Sequence, residues 1–87
     1  MQQDRFKRMQ FRAWHRGTRE ADYMIGGFFD RFHAEWDEEA AAWFEALIDE
    51  EDVDILGWAF GTLSVPDEYA GPLMDRMKLL DYVEIPH

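Results

Sequence analysis

Between residues 4 and 80 the apolar side chains of this chain recur at spacings of three and four, and no stretch alternates with period two over a useful length. That periodicity builds helices with one apolar stripe and excludes half-buried strands. An all-α fold follows, a compact bundle of about five short helices joined by tight corners. At 87 residues the chain is one helical domain spanning 1–87, with its folded part at about 4–80 and a loose or extended tail at 81–87.

Local signals divide the bundle. A first helix runs from about Asp4 to His15, with Phe6, Met9, Gln10 and Ala13 on one face, Phe11 and Trp14 beside it, and Gly17 just past its end. Thr18 caps a second helix that reaches about His33; its stripe is Ala21, Ile25, Phe28 and Phe32, widened by Met24 and Phe29. Gly26-Gly27 in its middle costs about 2 kcal/mol relative to alanine, so close packing by another helix is expected there. Asp37 caps a third helix to about Asp49, with Ala40, Trp43, Phe44, Leu47 and Ile48 inward. Asp52 caps a fourth, with the stripe Ile55, Leu56, Ala59, Phe60, Leu63 and a stop at Gly61. Pro66-Asp67-Glu68 can open a further helical segment. Pro72 then imposes either a kink near Gly71 or a turn followed by a helix to about Leu80, with Leu73, Met74, Met77 and Leu80 inward.

Composition removes several function classes. No cysteine is present, so disulfides, thiolate metal sites and cysteine nucleophiles are excluded. The longest apolar run, Ala40–Phe44, is far shorter than the ~20 residues a bilayer span needs, so no membrane insertion is expected. The first residues carry no apolar signal-peptide core. No phosphate-cradling glycine loop occurs, and the lone Ser64 has no histidine near it in sequence. His15, His33 and His87 lack metal-ligand spacing, and the acidic clusters at 37–39 and 49–54 read as helix caps and solvated faces. No catalytic, cofactor-binding or metal site is assigned, and the chain does not read as an enzyme.

Charge is distributed unevenly. Residues 1–20 hold six Lys/Arg against two Asp/Glu, a net of +4; the rest holds three against seventeen, a net of −14. A total of −10 repels nucleic acid over most of the surface, so no nucleic-acid partner is expected. The basic segment ends in His15-Arg16-Gly17-Thr18-Arg19-Glu20. Gly17 is either a plain helix stop beside a surface Arg16–Glu20 pair, or a place where a partner's backbone approaches closely. Arg16 then offers a planar fork of donors to a carboxylate or carbonyl, with Glu20 answering a basic group or holding Arg16 in place. Trp58 is either core or part of a contact surface.

With those residues in view, the chain resembles the small FAD assembly factors of succinate dehydrogenase, the flavinators. Arg16, Gly17 and Glu20 match the family's Arg-Gly-x-x-Glu signature; Trp14-His15 before it, Asp22 after it and the acidic run leading to Asp54-x-x-x-Trp58 agree. The likeness covers about residues 5–80. It implies a chaperone-like assembly factor that binds the flavoprotein subunit of succinate dehydrogenase or of fumarate reductase. Such a factor promotes covalent FAD attachment to that client and holds no FAD stably itself. The implied partner-binding set is Arg16, Gly17 and Glu20, flanked by Arg12, Trp14, His15, Arg19 and Asp22, with Trp58. The implied setting is a bacterial cytoplasm, or the mitochondrial matrix in a eukaryote.

The alternative is an antitoxin-type or other regulatory protein-interaction module unrelated to flavin. It would need a nucleic acid, cytoskeletal or toxin partner, yet no helix after residue 20 carries several Lys/Arg. An exposed Phe11 or Trp58 would serve either a client or a second copy in a weak homodimer.

Overall fold

In the computed structural model, which describes residues 2–83, α1 (Gln2–Trp14), α2 (Arg19–Phe32), α3 (Glu38–Leu47), α4 (Asp52–Phe60) and α5 (Pro72–Leu79) follow one another, with a single 3₁₀ turn at His33–Glu35 after α2. No strand occurs among the described residues. The Cα radius of gyration, 12.1 Å, matches the ~12 Å of a compact domain of this length.

The caps explain most of the boundaries. Thr18 is in extended conformation and its hydroxyl accepts the Ala21 N–H at 3.2 Å. Asp37 does the same for Ala40 at 2.8 Å. Gly61 closes α4 in the left-handed region at φ +83°, and Pro72 opens α5 at its first position, where its missing N–H costs nothing. Of the two arrangements open at Pro72, the structure has the turn followed by a helix.

Several expectations are corrected. α1 stops at Trp14 and α3 at Leu47, one and two residues early; Asp49 and Glu50 would lie unfavourably at the negative end of the α3 dipole. Asp52 is not a cap: it is the first residue of α4, and Glu51 holds the cap position without a side-chain bond. Pro66–Glu68 forms only a turn, its carbonyl at Pro66 accepting from Tyr69 and Ala70. Gln10 is exposed and donates to Asp30. The inner face of α4 is Ile55, Trp58 and Ala59, while Phe60 and Leu63 stand exposed. The helix is apolar on both sides, so spacing alone could not choose between them. The tail is folded further than expected: Tyr82 is buried against Phe28 and Phe32, and Arg76 pairs with Asp81. The expectation for residues 84–87 lies outside the described residues.

The core joins α1 (Met9, Ala13), α2 (Ala21, Met24, Ile25, Phe28, Phe29), α3 (Ala41, Phe44, Leu47), Ile48, α4, Tyr69, α5 (Met74, Met77) and Tyr82. Gly26 gives the close approach its sequence called for. A Cβ there would collide with the indole of Trp14, so the missing side chain lets the last residue of α1 pack directly on α2.

Candidate functional site

The corner between α1 and α2 is built from residues 15–22. Gly17 turns the chain at φ +114°, a backbone conformation that favours glycine, and no atom lies within 4 Å of where its Cβ would be. The open space is therefore in front of the turn, on the solvent side. Residues 17–20 are all exposed. Asp22, one turn into α2, accepts the backbone N–H of Arg16 at 2.6 Å and so ties the start of the corner to the helix that follows.

Arg16 has a different place from the one its neighbours in sequence suggest. It makes no pair with Glu20. Its side chain, only 10% exposed, reaches across to the loop between α3 and α4. There Nε donates to Asp52 at 2.6 Å, Nη1 to the Ile48 carbonyl at 2.6 Å and Nη2 to the Glu50 carbonyl at 2.9 Å. The planar fork does bind a carboxylate and carbonyls, but they belong to this chain. Ile48 is the C-cap of α3 and Glu50 lies in the loop beyond it, so Arg16 ties the end of that helix to the chain that follows. Arg12 repeats the arrangement one turn back, against Asp49 and the Ile48 carbonyl.

The remaining candidates sort by exposure. His15 is exposed; its ring stacks on Phe11 at 4.0 Å and its Nδ1 lies 2.6 Å from the Phe11 carbonyl oxygen. Arg19 and Glu20 are exposed, and neither forms an ion pair among the described residues. Trp14 is half-buried between Gly26 and the edge of Tyr23. Trp58 is 6% exposed and packs on Tyr69 at 5.3 Å, so it belongs to the core and not to the contact surface. Two shallow concavities meet at the corner. One is lined by Trp14, Gly17, Arg19 and Tyr23, the other by His15, Arg16, Asp52 and Val53. The second brings the α3–α4 loop into the same surface, a neighbour that sequence reasoning missed because no local signal links residues 32–36 positions apart.

Half of the basic charge at the front of the chain is thus internal. Arg5 binds Glu38 at 2.7 Å and Glu45 at 3.1 Å, which holds the Glu38 carboxyl below its ordinary range. With Arg12 and Arg16 also paired, Lys7, Arg8 and Arg19 are the cations of this segment left facing solvent without an ion pair among the described residues. Among those residues, no three His, Asp or Glu side chains converge as a metal site, and no helix is long and apolar enough to cross a membrane.

What this fold and corner define is a small all-α protein whose distinctive surface is a knuckle between two helices, tied from behind by an arginine. Over residues 7–81 the sequence matches the family described as the flavinator of succinate dehydrogenase, and the chain belongs to that family. It is also 38% identical over 73 residues to the FAD assembly factor SdhE of Acetobacter pasteurianus (strain NBRC 105184 / IFO 3283-01), an alignment covering 84% of this chain and 67% of that protein.

Proposed function

We propose that this chain is an assembly factor that docks on the flavoprotein subunit of succinate dehydrogenase, or of fumarate reductase, and promotes covalent attachment of FAD to it. The observation that carries the reading is the family match over residues 7–81. The exposed corner supports it with a surface suited to another polypeptide: a side-chain-free approach at Gly17, flanked by charged Arg19 and Glu20. The flavin and the client supply the bond-forming chemistry; this chain contributes binding energy that holds the client in a competent arrangement and keeps no flavin stably. The bacterial relative supports a cytoplasmic setting.

The test uses exposed residues that form no ion pair among the described residues. Glu20→Ala and Arg19→Glu are introduced into the chain co-expressed with the flavoprotein subunit, and covalent flavin is read as fluorescence in a denaturing gel. Both variants are expected to lower the signal several-fold with the melting temperature unchanged. Full fluorescence with both variants, or in the absence of the chain altogether, refutes the reading.

A further inference from the structure

The outer face of α4 is apolar without interruption. Val53 and Phe60, seven residues apart, share one side of the helix, and Leu56 lies beside them. Gly57, between them, has no side chain. Into that space folds Leu63, whose Cδ1 lies 2.5 Å from where a Gly57 Cβ would be, while the N–H groups of Thr62 and Leu63 both return to the Gly57 carbonyl. The result is a row in which Leu63 fills the gap between Val53 and Phe60. These three side chains are 70%, 45% and 57% exposed, and the row is not interrupted by a charge. Scattered surface apolar residues are ordinary, but three in a row on one side of a helix are not scattered. The opposite side of α4 already fills the core, so folding does not explain this one.

The row begins at the corner. Asp52, which holds Arg16, is followed directly by Val53, and His15, Arg16 and Val53 line one concavity. A stable interface engages roughly 20–30 residues a side. The corner at Gly17, Thr18, Arg19 and Glu20 offers four, so a docked client must extend beyond it, and the α4 row is the adjoining apolar surface. The rim next to Val53 is acidic, with Glu51 exposed and Asp54 half-exposed. A second copy would bring the same acidic rim and a further −10 of charge. Charge complementarity selects an apolar patch with a basic rim.

Resting on the docking reading above, we infer that the Val53–Leu63–Phe60 face of α4 is a second contact surface for the same flavoprotein client, which meets it with apolar side chains edged by Lys or Arg. The test measures binding to the purified flavoprotein subunit lacking covalent flavin, together with sedimentation of the free chain and its melting temperature. Val53→Ser/Phe60→Ser is expected to weaken binding at least about tenfold, with melting changed far less, because both side chains are already mostly in water. Asp54→Lys is expected to weaken binding as well, and tighter binding by that variant would overturn the basic rim. If the double variant binds like the unmodified chain while Glu20→Ala weakens binding, the α4 surface is refuted and the corner stands. If neither weakens binding, the docking reading falls and takes this surface with it. A free dimer that the double variant converts to monomer, with client binding intact, would assign the row to a second copy and overturn the inference.

Discussion

Arg16→Ala should act on the fold before it acts on any partner. The guanidinium makes three hydrogen bonds with only 10% of its side chain exposed, and its acceptors are one carboxylate and two carbonyls at the α3–α4 junction. Hydrogen bonds to a charged group contribute roughly 1.5–3 kcal/mol each, and removing one side of a buried pair strands the other. Asp52 keeps some contact with water, with 27% of its side chain exposed, so its loss is discounted. The two carbonyls are less easily hydrated. A net loss of about 3 kcal/mol follows, out of a total of roughly 5–10 kcal/mol for a domain of this size. Each kilocalorie lowers the melting temperature of such a domain by about 4–8 °C, so a fall of roughly 12–24 °C is expected. Thermal denaturation followed by far-UV circular dichroism measures it, with Glu20→Ala, exposed and unpaired, as the comparison expected to melt within about 2–3 °C of the unmodified chain. A melting temperature for Arg16→Ala within that same margin would refute the clamp. The consequence for function is direct. Lost flavinylation in an Arg16 variant reports a loosened α3–α4 loop as much as a lost contact, whereas Glu20 and Arg19 report the surface.

The paired glycines of α2 should respond in opposite directions to the same change. Gly26→Ala drives a methyl into the rigid indole of Trp14; overpacking of about 1–3 kcal/mol outweighs a gain of about 1 kcal/mol in helix propensity, so melting falls. Gly27→Ala meets Tyr82 at an ordinary 3.7 Å and keeps the propensity gain, so melting rises by roughly 4–8 °C. Tyr82→Phe should be neutral or stabilise by about 1 kcal/mol, because the buried Tyr82 hydroxyl has no hydrogen-bond partner; a clear loss of stability would show that the hydroxyl is satisfied. Burial pushes the phenols of Tyr69 and Tyr82 above their ordinary value, Tyr69 with the added effect of its bond to Glu50. Their contribution to stability is complete below about pH 10 and is lost as pH rises beyond it, because the unfolded chain ionises first. Melting measured across that range should fall less steeply in Tyr69→Phe/Tyr82→Phe than in the unmodified chain.

The elements were legible where a local signal was strong. Thr18 and Asp37 announced caps, Gly61 and Pro72 a stop and a start, and the Gly26-Gly27 pair announced a close approach whose source proved to be Trp14. The inner face of α4 was illegible for a physical reason. Val53, Leu56 and Phe60 on one side and Ile55, Trp58 and Ala59 on the other leave no polar face to set the phase. The corner was legible in its outline: Gly17 turns, and residues 17–20 face solvent. The bonding of Arg16 was not. Glu20 sits four positions away, the spacing at which helix pairs form, but Gly17 ends any helix between them, and the carboxylate that meets Arg16 comes from 36 residues downstream.

That distant pairing changes what the charge asymmetry of the sequence means. A +4 segment ahead of a −14 remainder invites the view that the front of the chain is reserved for a partner. Instead the fold uses much of it on itself. Arg5 joins Glu38 and Glu45 of α3, Arg12 joins Asp49, and Arg16 joins Asp52, so α1 and the corner after it are laced along α3, its following loop and the first residue of α4. The acidic clusters at 37–39 and 49–54, which read as caps and solvated faces, are in part the counter-charges for that lacing. Exposed ion pairs of this kind contribute little singly; the buried one at Arg16 contributes most and sits at the corner itself. An Arg-Gly-x-x-Glu corner of this geometry therefore divides its labour. The arginine faces inward and fixes the loop, the glycine makes the turn and leaves open space before it, and the glutamate stands exposed without an ion pair among the described residues. On the proposed docking, a corner already held by hydrogen bonds across the fold leaves little ordering cost to set against the affinity of a complex.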